Sequence, residues 1–256
     1  MSLLSKIKLP TKPCKYCGKD VKLPFQYHKE CKRINKEGIN EILSLTIDCV
    51  VNLGDIELLD KTIIEISSTT YIDSYNRLQV ISDGVDKGVD IILKSKEIST
   101  DEEGHVNKFI VKFIGIQEHL NQLGTLNKIE QTKLLSQIRN GNIPELNLDS
   151  NHPMLKGLMK GEKLVYVFPQ EIYYYRIMNK GLQYEYSGGL SVTTKHLYFV
   201  SDRDSFRIRF DSIINILPKY GGVVIHKNSS SEKPKVFKNL DGEFLIELID
   251  LMVEEK

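Results

Sequence analysis

The chain has 256 residues, of which 41% are hydrophobic and 27% are charged, and its formal net charge is +1. This composition can supply packed cores for one large domain or for two to three small ones, and it excludes a strong electrostatic preference of the whole molecule. No segment approaches the roughly 20 apolar residues of a membrane span, so an integral membrane segment is not expected.

The cellular location is predicted from the first residues and the cysteines. The opening MSLLSKIKLP is too short, and too interrupted by lysine, to serve as a signal peptide. Four cysteines, three of them at metal-ligand spacing, suit a reducing compartment better than a disulfide framework. We therefore expect a cytoplasmic protein, and the many Lys, Ile and Asn residues with no Trp favour a bacterial or phage source.

Basic charge is concentrated near the N-terminus. Residues 1–33 contain nine Lys or Arg against Asp20 and Glu30, a balance of +7 that leaves −6 on the rest of the chain. Such a balance favours a phosphate-rich or acidic partner. The basic side chains are Lys6, Lys8, Lys12, Lys15, Lys19, Lys22, Lys29, Lys32 and Arg33.

Four residues in the same segment have the pattern C-x2-C-x10-H-x2-C, namely Cys14, Cys17, His28 and Cys31. Three thiolates and one imidazole are the complement of a closed structural zinc site. Gly18 tolerates the backbone conformation that follows a tight CxxC turn, and the alternating apolar residues between the two ligand pairs predict a short strand pair. His28 and Cys31 are one helical turn apart, so the start of a helix can direct both at one ion.

A tight CxxC turn, here called the knuckle, is followed by a strand pair and a helix. This order resembles the treble-clef zinc fingers over about the first 35 residues. The site is expected to be structural rather than catalytic, since four protein ligands leave no open position. Two alternatives remain: four residues that never meet a metal, and a redox dithiol, which would normally lie at a strand-to-helix junction of a larger α/β unit. Cys49, in an apolar helical run, is interpreted as a buried core thiol.

The middle of the chain is predicted to be helical. Apolar residues recur at helical spacing from about residue 34 to residue 138 and predict five amphipathic helices that form a small bundle. Ser99 and Glu102 have the spacing of a capping box, and Gly124 separates the fourth helix from the fifth. Asp101, Glu102 and Glu103 are interpreted as a charged first turn, with metal ligation as the alternative.

After about residue 160 the pattern changes to short β-rich runs separated by turn residues, followed by the amphipathic sequence DGEFLIELIDLMVEEK. About seven strands and one helix predict a small bent sheet or open barrel plugged by that helix. Alternation along IYYYRI places Tyr174 on the face opposite Tyr173 and Tyr175. The apolar face of the helix is predicted to contain Phe244, Leu245, Leu248, Ile249 and Met252.

Three stretches carry a resemblance to the PH-like superfold and, within it, to GRAM and bacterial PH-like domains: GLSVTTKHLYF (189–199), SFRIRFDSI (205–213) and GGVVI (221–225). The resemblance covers about residues 160–256 and implies a PH-like β-barrel with a closing helix. The whole arrangement also resembles bacterial proteins of uncharacterised function that pair a zinc-finger start with such a domain. The fold hosts lipid, peptide and scaffolding roles, so it implies no single ligand.

We therefore predict an α+β, multidomain chain. A zinc-finger module spans residues 1–38, a helical bundle spans 39–144, and a PH-like or GRAM-like domain spans 155–256. A lipid site in the last domain would need clustered cations, and acidic residues dilute the candidates, so solvated strand faces are the favoured interpretation. The candidate cations are Lys195, Arg203, Arg207, Arg209 and Lys219, and the diluting acids are Glu185, Asp202, Asp204 and Asp211.

The sequence contains no phosphate loop, GxSxG elbow or HExxH pair, and we predict that the protein is not an enzyme. The first functional hypothesis is a non-enzymatic binding or adaptor protein with structural Zn²⁺. The second is nucleic-acid binding, with Tyr16, Phe25 or Tyr27 stacking on bases and phosphates held by Lys12, Lys15, Lys19, Lys22, Lys29, Lys32 and Arg33. The third is attachment of the PH-like domain to anionic lipid. The choice between protein, nucleic acid and lipid partners stays open, as does the oligomeric state.

Overall fold

The computed structural model describes residues 10–149, 152–155, 158–179, 181–228 and 233–254, so Lys6 and Lys8 of the basic segment lie outside the described residues. The chain divides into two compact units, residues 1–132 and 133–256. Within the described residues the protein is mixed α+β, with seven α-helices and an eight-stranded antiparallel sheet.

The first unit begins with a small hairpin followed by a long helix. Strands β1 (Thr11–Pro13) and β2 (Asp20–Lys22) pair antiparallel, with Lys12 opposite Val21. Helix α1 (Lys29–Val51) begins directly after His28, which has the extended backbone of an N-cap. Val21 is buried beside Cys14 and Cys31, so the hairpin and the first turn of α1 share a miniature core.

Five more helices complete the first unit: α2 (Ile56–Thr69), α3 (Ser74–Ile92), α4 (Thr100–Lys112), α5 (Ile116–Leu123) and α6 (Thr125–Arg139), the last of which continues into the second unit. Side chains of Asp55, Asp73 and Ser99 cap α2, α3 and α4, and Ser99 and Glu102 form the predicted capping box. The apolar faces meet in a core that includes Ile42, Ile63, Ile81, Phe109 and Ile116.

The prediction of five helices is wrong by one, because the fourth predicted helix is two. Gly115 lies between them with φ +107°, a left-handed conformation that does not continue a helix, so α4 and α5 are separate. Helix α1 also runs without a break across the predicted boundary between residues 38 and 39. The division into three domains stays a prediction.

Helices α1 and α3 approach closely because two glycines of α3 face α1. A Cβ atom added to Gly84 would lie 2.6 Å from Cβ of Thr46, and one added to Gly88 would lie 2.7 Å from Cγ1 of Val50. No side chain fits at either position without displacing its neighbour. The two glycines therefore allow α3 to pack closely against α1, the helix that contains the candidate ligand Cys31.

The second unit consists of a sheet and one helix. Its strands are β3 (Leu164–Val167), β4 (Ile172–Met178), β5 (Gly181–Thr193), β6 (His196–Val200), β7 (Ser205–Arg209), β8 (Ile213–Lys219), β9 (Gly222–Lys227) and β10 (Lys235–Lys238). They lie in the order β7-β6-β5-β4-β10-β9-β8, with β3 paired to β5. Among the described residues the end strands β7 and β8 are not paired with each other, so the sheet is the open form and not a closed barrel.

Helix α7 (Gly242–Glu254) packs its predicted apolar face on this sheet. The five predicted residues, Phe244 to Met252, are all buried, in contact with a core that includes Leu190, Phe199 and Phe237. Tyr174 is buried while Tyr173 is exposed, as alternation predicts. In the part of the chain that the structure describes, no helix is long and apolar enough to cross a membrane.

Candidate metal centre and its surroundings

The first two candidate ligands lie on a tight turn at the end of β1. The backbone N–H of Cys14 donates to the Lys19 carbonyl at 2.8 Å, and the N–H of Gly18 donates to the Cys14 carbonyl at 2.9 Å. Gly18 has φ +71°, which a residue with a side chain rarely adopts. This turn directs the thiols of Cys14 and Cys17 to the same side.

The other two ligands come from the start of α1. His28 precedes the helix and Cys31 lies in its first turn, so both side chains return toward the knuckle. The Nδ1 atom of His28 lies 3.4 Å from Sγ of Cys17 and 3.7 Å from Sγ of Cys31. Its Nε2 atom lies 3.1 Å from the carbonyl oxygen of Asp20. The ring thus presents Nδ1 to the thiols and donates from Nε2 to the backbone.

The four residues fit a zinc ion. Their ligand atoms lie within 4.8 Å of one another, and this is the group that stands out among the described His, Cys, Asp and Glu residues. With zinc bonds of about 2.3 Å to sulfur and about 2.05 Å to nitrogen, the S–N edge of a tetrahedron is about 3.6 Å. The two observed sulfur–nitrogen distances, 3.4 and 3.7 Å, lie on either side of that value.

The electrostatics of the centre differ between the thiols. Burial raises the pKa of Cys14, but backbone N–H groups of Cys17, His28 and Tyr16 outweigh it and lower that pKa to about 6. Burial and then the neighbouring Cys17 thiol raise the pKa of Cys31 to about 11. The knuckle therefore favours a thiolate at Cys14, the form in which cysteine binds a metal.

Two other candidates from the sequence do not join the centre. Cys49 is buried in α1, and its pKa is raised to about 11, chiefly by burial. It is a core thiol, as predicted. Glu102 is engaged in the capping box with Ser99, and Asp101 and Glu103 lie with it in the first turn of α4, in agreement with a charged first turn.

The predicted phosphate-binding residues differ in their ion pairs and in their exposure. Arg33 is held by two carboxylates of its own helix, with Nε 3.0 Å from Oε2 of Glu30 and Nη1 2.6 Å from Oε1 of Glu37. These carboxylates raise the pKa of Arg33 and occupy its guanidinium. The lysines are half-buried or exposed along the module: Lys12, Lys15, Lys19, Lys22, Lys29 and Lys32. Phosphate binding by these residues stays a prediction.

The three predicted stacking residues differ in their contacts and exposure. Nζ of Lys15 lies 4.8 Å from the ring centre of Tyr16 and 5.4 Å from that of Tyr27, and Nζ of Lys32 lies 5.1 Å from the Tyr27 ring. The two tyrosine rings are 5.8 Å apart. The two half-buried rings thus contact each other and lysine, whereas Phe25 is exposed.

One of the candidate cations of the C-terminal sheet, Arg209, forms an ion pair. Arg209 pairs with Asp211 through Nη2 and Oδ2, 2.5 Å apart, at the end of β7. Tyr186 donates to Asp204, one of the acids that dilute the cluster. Lipid binding at this place is not tested by these contacts and stays a prediction.

One residue beside the metal centre, Tyr71, is not predicted from the sequence, because it lies 40 residues after Cys31 in the chain. Tyr71, in the turn after α2, has φ +58° and is held by its carbonyl, which accepts from Nδ2 of Asn35 at 3.1 Å. Its ring lies 6.5 Å from that of Tyr16, and the nearby Cys31 thiol raises its pKa. No local pattern marks such a contact, because it depends on how α1 and α2 pack.

A buried polar cluster in the second unit was also missed. Glu162 accepts from Nδ1 of His196, from the Tyr198 hydroxyl at 2.7 Å and from the Thr193 hydroxyl at 3.0 Å. His196 and Thr193 flank the β5–β6 turn, and their ladder register places them with Tyr198 on one face. The signal in the sequence is the two-residue spacing of His196 and Tyr198, but their partner is more than 30 residues away.

Comparison with known proteins adds little to this geometry. No family model and no curated protein matches the chain. A crystal structure of the C-terminal domain of an unknown protein from Leishmania infantum is similar at 19% identity and a TM-score of 0.26, over 40% of this chain and 90% of that one. The linker-DH/PH domains of p115-RhoGEF are similar at 11% identity and a TM-score of 0.26, over 90% of this chain and 72% of that one. A structure of the Vav1 exchange factor is similar at 12% identity and a TM-score of 0.25, over 89% and 61%. At such TM-scores these likenesses bear on neither the fold nor the function of the chain.

Proposed function

We propose that the protein is a non-enzymatic binding protein whose N-terminal module is held together by a structural Zn²⁺ ion. The observation that carries the proposal is the convergence of Cys14, Cys17, His28 and Cys31, whose ligand atoms lie within 4.8 Å of one another. Three sulfurs and an imidazole nitrogen are donors that zinc prefers.

A structural role is favoured over a catalytic one for two reasons. Four protein ligands complete a tetrahedral zinc shell and leave no position for water or substrate. In addition, Cys14 and Cys31 are buried and Cys17 and His28 are half-buried, so side chains of the module surround the position of the ion. The bound metal would cross-link the knuckle to helix α1. No chemical step is assigned to it.

The treble-clef class of the module is part of the same proposal. It is supported by the order of a knuckle, a short hairpin and a helix whose first turn supplies ligands. The core of this module is so small that it needs a metal or a neighbour to fold. Thiolate ligands also need a reducing environment, which supports a cytoplasmic location.

The C-terminal unit is proposed to be a PH-like domain of the GRAM or bacterial PH type. The support is an open antiparallel sheet followed by one helix that buries its apolar face on the sheet. This part of the proposal assigns a scaffold for binding and leaves the ligand open.

Metal analysis of the purified full chain tests the zinc site. We expect one zinc per chain in the wild type and a loss of most of it in Cys14→Ser and Cys31→Ser. Cys49→Ala is the matched control, since it removes the one cysteine outside the centre and should leave zinc at one per chain. Retention of zinc by both serine variants would overturn the proposal.

A further inference from the structure

The loop that follows β2 presents two large apolar side chains to solvent. Leu23 is 41% exposed and Phe25 is 59% exposed, with exposed Pro24 between them. We call residues 23–25 the apolar tip. Adjacent apolar residues at the surface of a small module are typical of a surface that contacts a partner or a membrane.

The apolar tip is held by the backbone on both sides. The N–H of Leu23 donates to the Pro10 carbonyl, the N–H of Phe25 donates to the Lys22 carbonyl, and the N–H of Lys15 donates to the Gln26 carbonyl, each at 3.1 Å. The exposure of Leu23 and Phe25 is therefore a feature of an ordered loop. A partner would meet a surface that is already formed, at little cost in conformational entropy.

Positive charge accompanies the tip. Lys22 directly precedes it, Lys15 is joined to the residue after it, and the β1 strand beside it carries Lys12. Between residues 10 and 29 the module carries Lys12, Lys15, Lys19, Lys22 and Lys29 against a single acid, Asp20. Apolar side chains beside lysines complement a surface that is anionic outside and apolar beneath, which is the surface of a bilayer with acidic lipids.

The same observations favour a membrane over a nucleic acid. Single-stranded nucleic acid is held by open aromatic faces, and the rings of Tyr16 and Tyr27 are in contact with Lys15, Lys32 and each other. Phe25 offers one open aromatic face, but Leu23 beside it is aliphatic and cannot stack on a base, whereas both side chains suit an apolar environment.

We propose that the apolar tip inserts into the interface of anionic membranes, with the lysines of the module contacting the lipid headgroups. This proposal rests on the proposed zinc site, because the loop connects the CxxC turn to helix α1, the two segments that the metal would cross-link. Leu23 and Phe25 would enter the boundary between headgroups and acyl chains, and Lys22 would remain at headgroup level. The C-terminal sheet is not required for this contact.

The first experiment is sedimentation of the full chain with vesicles of phosphatidylcholine containing 30% phosphatidylserine. We expect binding to these vesicles, weaker binding to pure phosphatidylcholine, and a loss of affinity of about tenfold or more in the double variant Leu23→Ser/Phe25→Ser. The matched control is Val111→Ser/Ile114→Ser, whose wild-type side chains are 78% and 86% exposed. If exposed apolar area alone governed binding, this control would lose at least as much.

Charge is tested in the same assay. Lys22→Glu/Lys29→Glu should reduce binding to the anionic vesicles by about tenfold or more, and Lys61→Glu/Lys94→Glu, with the same charge change at exposed positions elsewhere, should reduce it much less. Equal losses in the two variants would show that only the net charge matters and would overturn the assignment to the tip.

A fluorescence experiment covers the case in which the serine variants fold poorly. The chain has no tryptophan, so Phe25→Trp places the single tryptophan of the molecule at the tip. We expect a blue shift on addition of anionic vesicles and quenching by lipids brominated on the acyl chain. Val111→Trp should show neither effect. An unshifted Phe25→Trp spectrum in the presence of bound vesicles would overturn insertion.

Zinc content, measured on each sample, separates the two proposals. Full zinc loading with no binding to anionic vesicles would overturn the membrane proposal and leave the zinc site intact. Vesicle binding that depends on Phe25 in a protein without zinc would overturn the zinc site alone. Retention of a single-stranded oligonucleotide, with no sedimentation on vesicles, would overturn the membrane proposal in favour of nucleic acid.

Discussion

The imidazole of His28 is oriented by the backbone of Asp20, because Nε2 of His28 lies 3.1 Å from the Asp20 carbonyl oxygen. A carbonyl can only accept, so Nε2 carries a proton, and in the neutral ring that binds a metal Nδ1 has the lone pair, facing Cys17 and Cys31. Asp20, the first residue of β2, therefore determines which nitrogen of the His28 ring can bind a metal. Partners of this kind orient histidine ligands in metal sites generally.

The first prediction concerns this nitrogen. In the zinc-loaded protein, nitrogen NMR of the His28 ring should show a protonated Nε2 and a metal-bound Nδ1. His28→Cys should keep four ligands and retain zinc, whereas His28→Ala should weaken zinc binding by at least about tenfold in a competition titration with a chromophoric chelator. A protonated Nδ1, or equal affinities of the two variants, would contradict the assigned geometry.

Removal of the metal should affect one part of the first unit. The core of the module contains few residues, centred on Cys14, Val21 and Cys31, so its order depends on the metal cross-link. On chelation, amide hydrogen exchange should accelerate strongly over residues 10–28. Helices α2 to α4, which share the larger core around Ile63 and Phe109, should keep their protection. Unchanged exchange over residues 10–28 would indicate that the module folds without zinc.

The close approach of α1 and α3 predicts a large difference between two identical substitutions. Gly88→Ala would place a Cβ atom 2.7 Å from Cγ1 of Val50 and should reduce the free energy of unfolding by about 1–3 kcal/mol. Gly104→Ala, inside α4 where no atom beyond the adjacent helix backbone lies within 4 Å of the added Cβ, should increase it by about 0.5–1 kcal/mol. Urea unfolding of both variants gives the comparison, and effects of the same sign would contradict the packing described.

The cluster around Glu162 predicts a loss of stability in acid. Burial raises the pKa of Glu162, but hydrogen bonds from His196, Tyr198, the Met159 N–H and Thr193 outweigh it and lower that pKa from 4.5 to about 2. A pKa that is lower in the folded state contributes stability above the unfolded value, near pH 4.5, and the contribution is lost as pH falls toward 2. The loss amounts to about 3 kcal/mol for this shift.

Glu162→Gln should remove most of this pH dependence, since an amide does not titrate. Hydrogen exchange of strands β5 and β6 at pH 6 and at pH 3 gives the measurement, after correction for the intrinsic rates. A wild type and a variant with the same change in protection between these pH values would contradict the role of Glu162. Ser187→Ala is a matched control, because it removes a hydrogen bond to another carboxylate, that of Glu171, at an exposed site.

The parts of the protein that sequence analysis predicted well are those set by short-range geometry. The CxxC knuckle, the one-turn spacing of His28 and Cys31, the Ser99 capping box and the apolar face of α7 depend on residues within about a dozen positions of one another. Helical and extended periods are enough to place such residues on one side.

The features that sequence analysis missed depend on packing between distant segments. Gly115 gave no sign in the apolar pattern that the fourth helix is broken, since helical spacing resumes directly after it. Tyr71 and Glu162 reach their partners across turns and strands whose arrangement is set by the whole core. The contacts of Tyr16 and Tyr27 with lysine likewise follow from where Lys15 and Lys32 lie in three dimensions.

The measurement that tests the zinc centre most directly is X-ray absorption spectroscopy at the zinc edge on the 256-residue chain. The centre described here predicts three sulfur ligands at about 2.3 Å and one nitrogen ligand at about 2.0–2.1 Å, with the same spectrum for Cys49→Ala. A shell made mainly of oxygen and nitrogen, a bound water in place of one of the four residues, or a protein that takes up no zinc would contradict it.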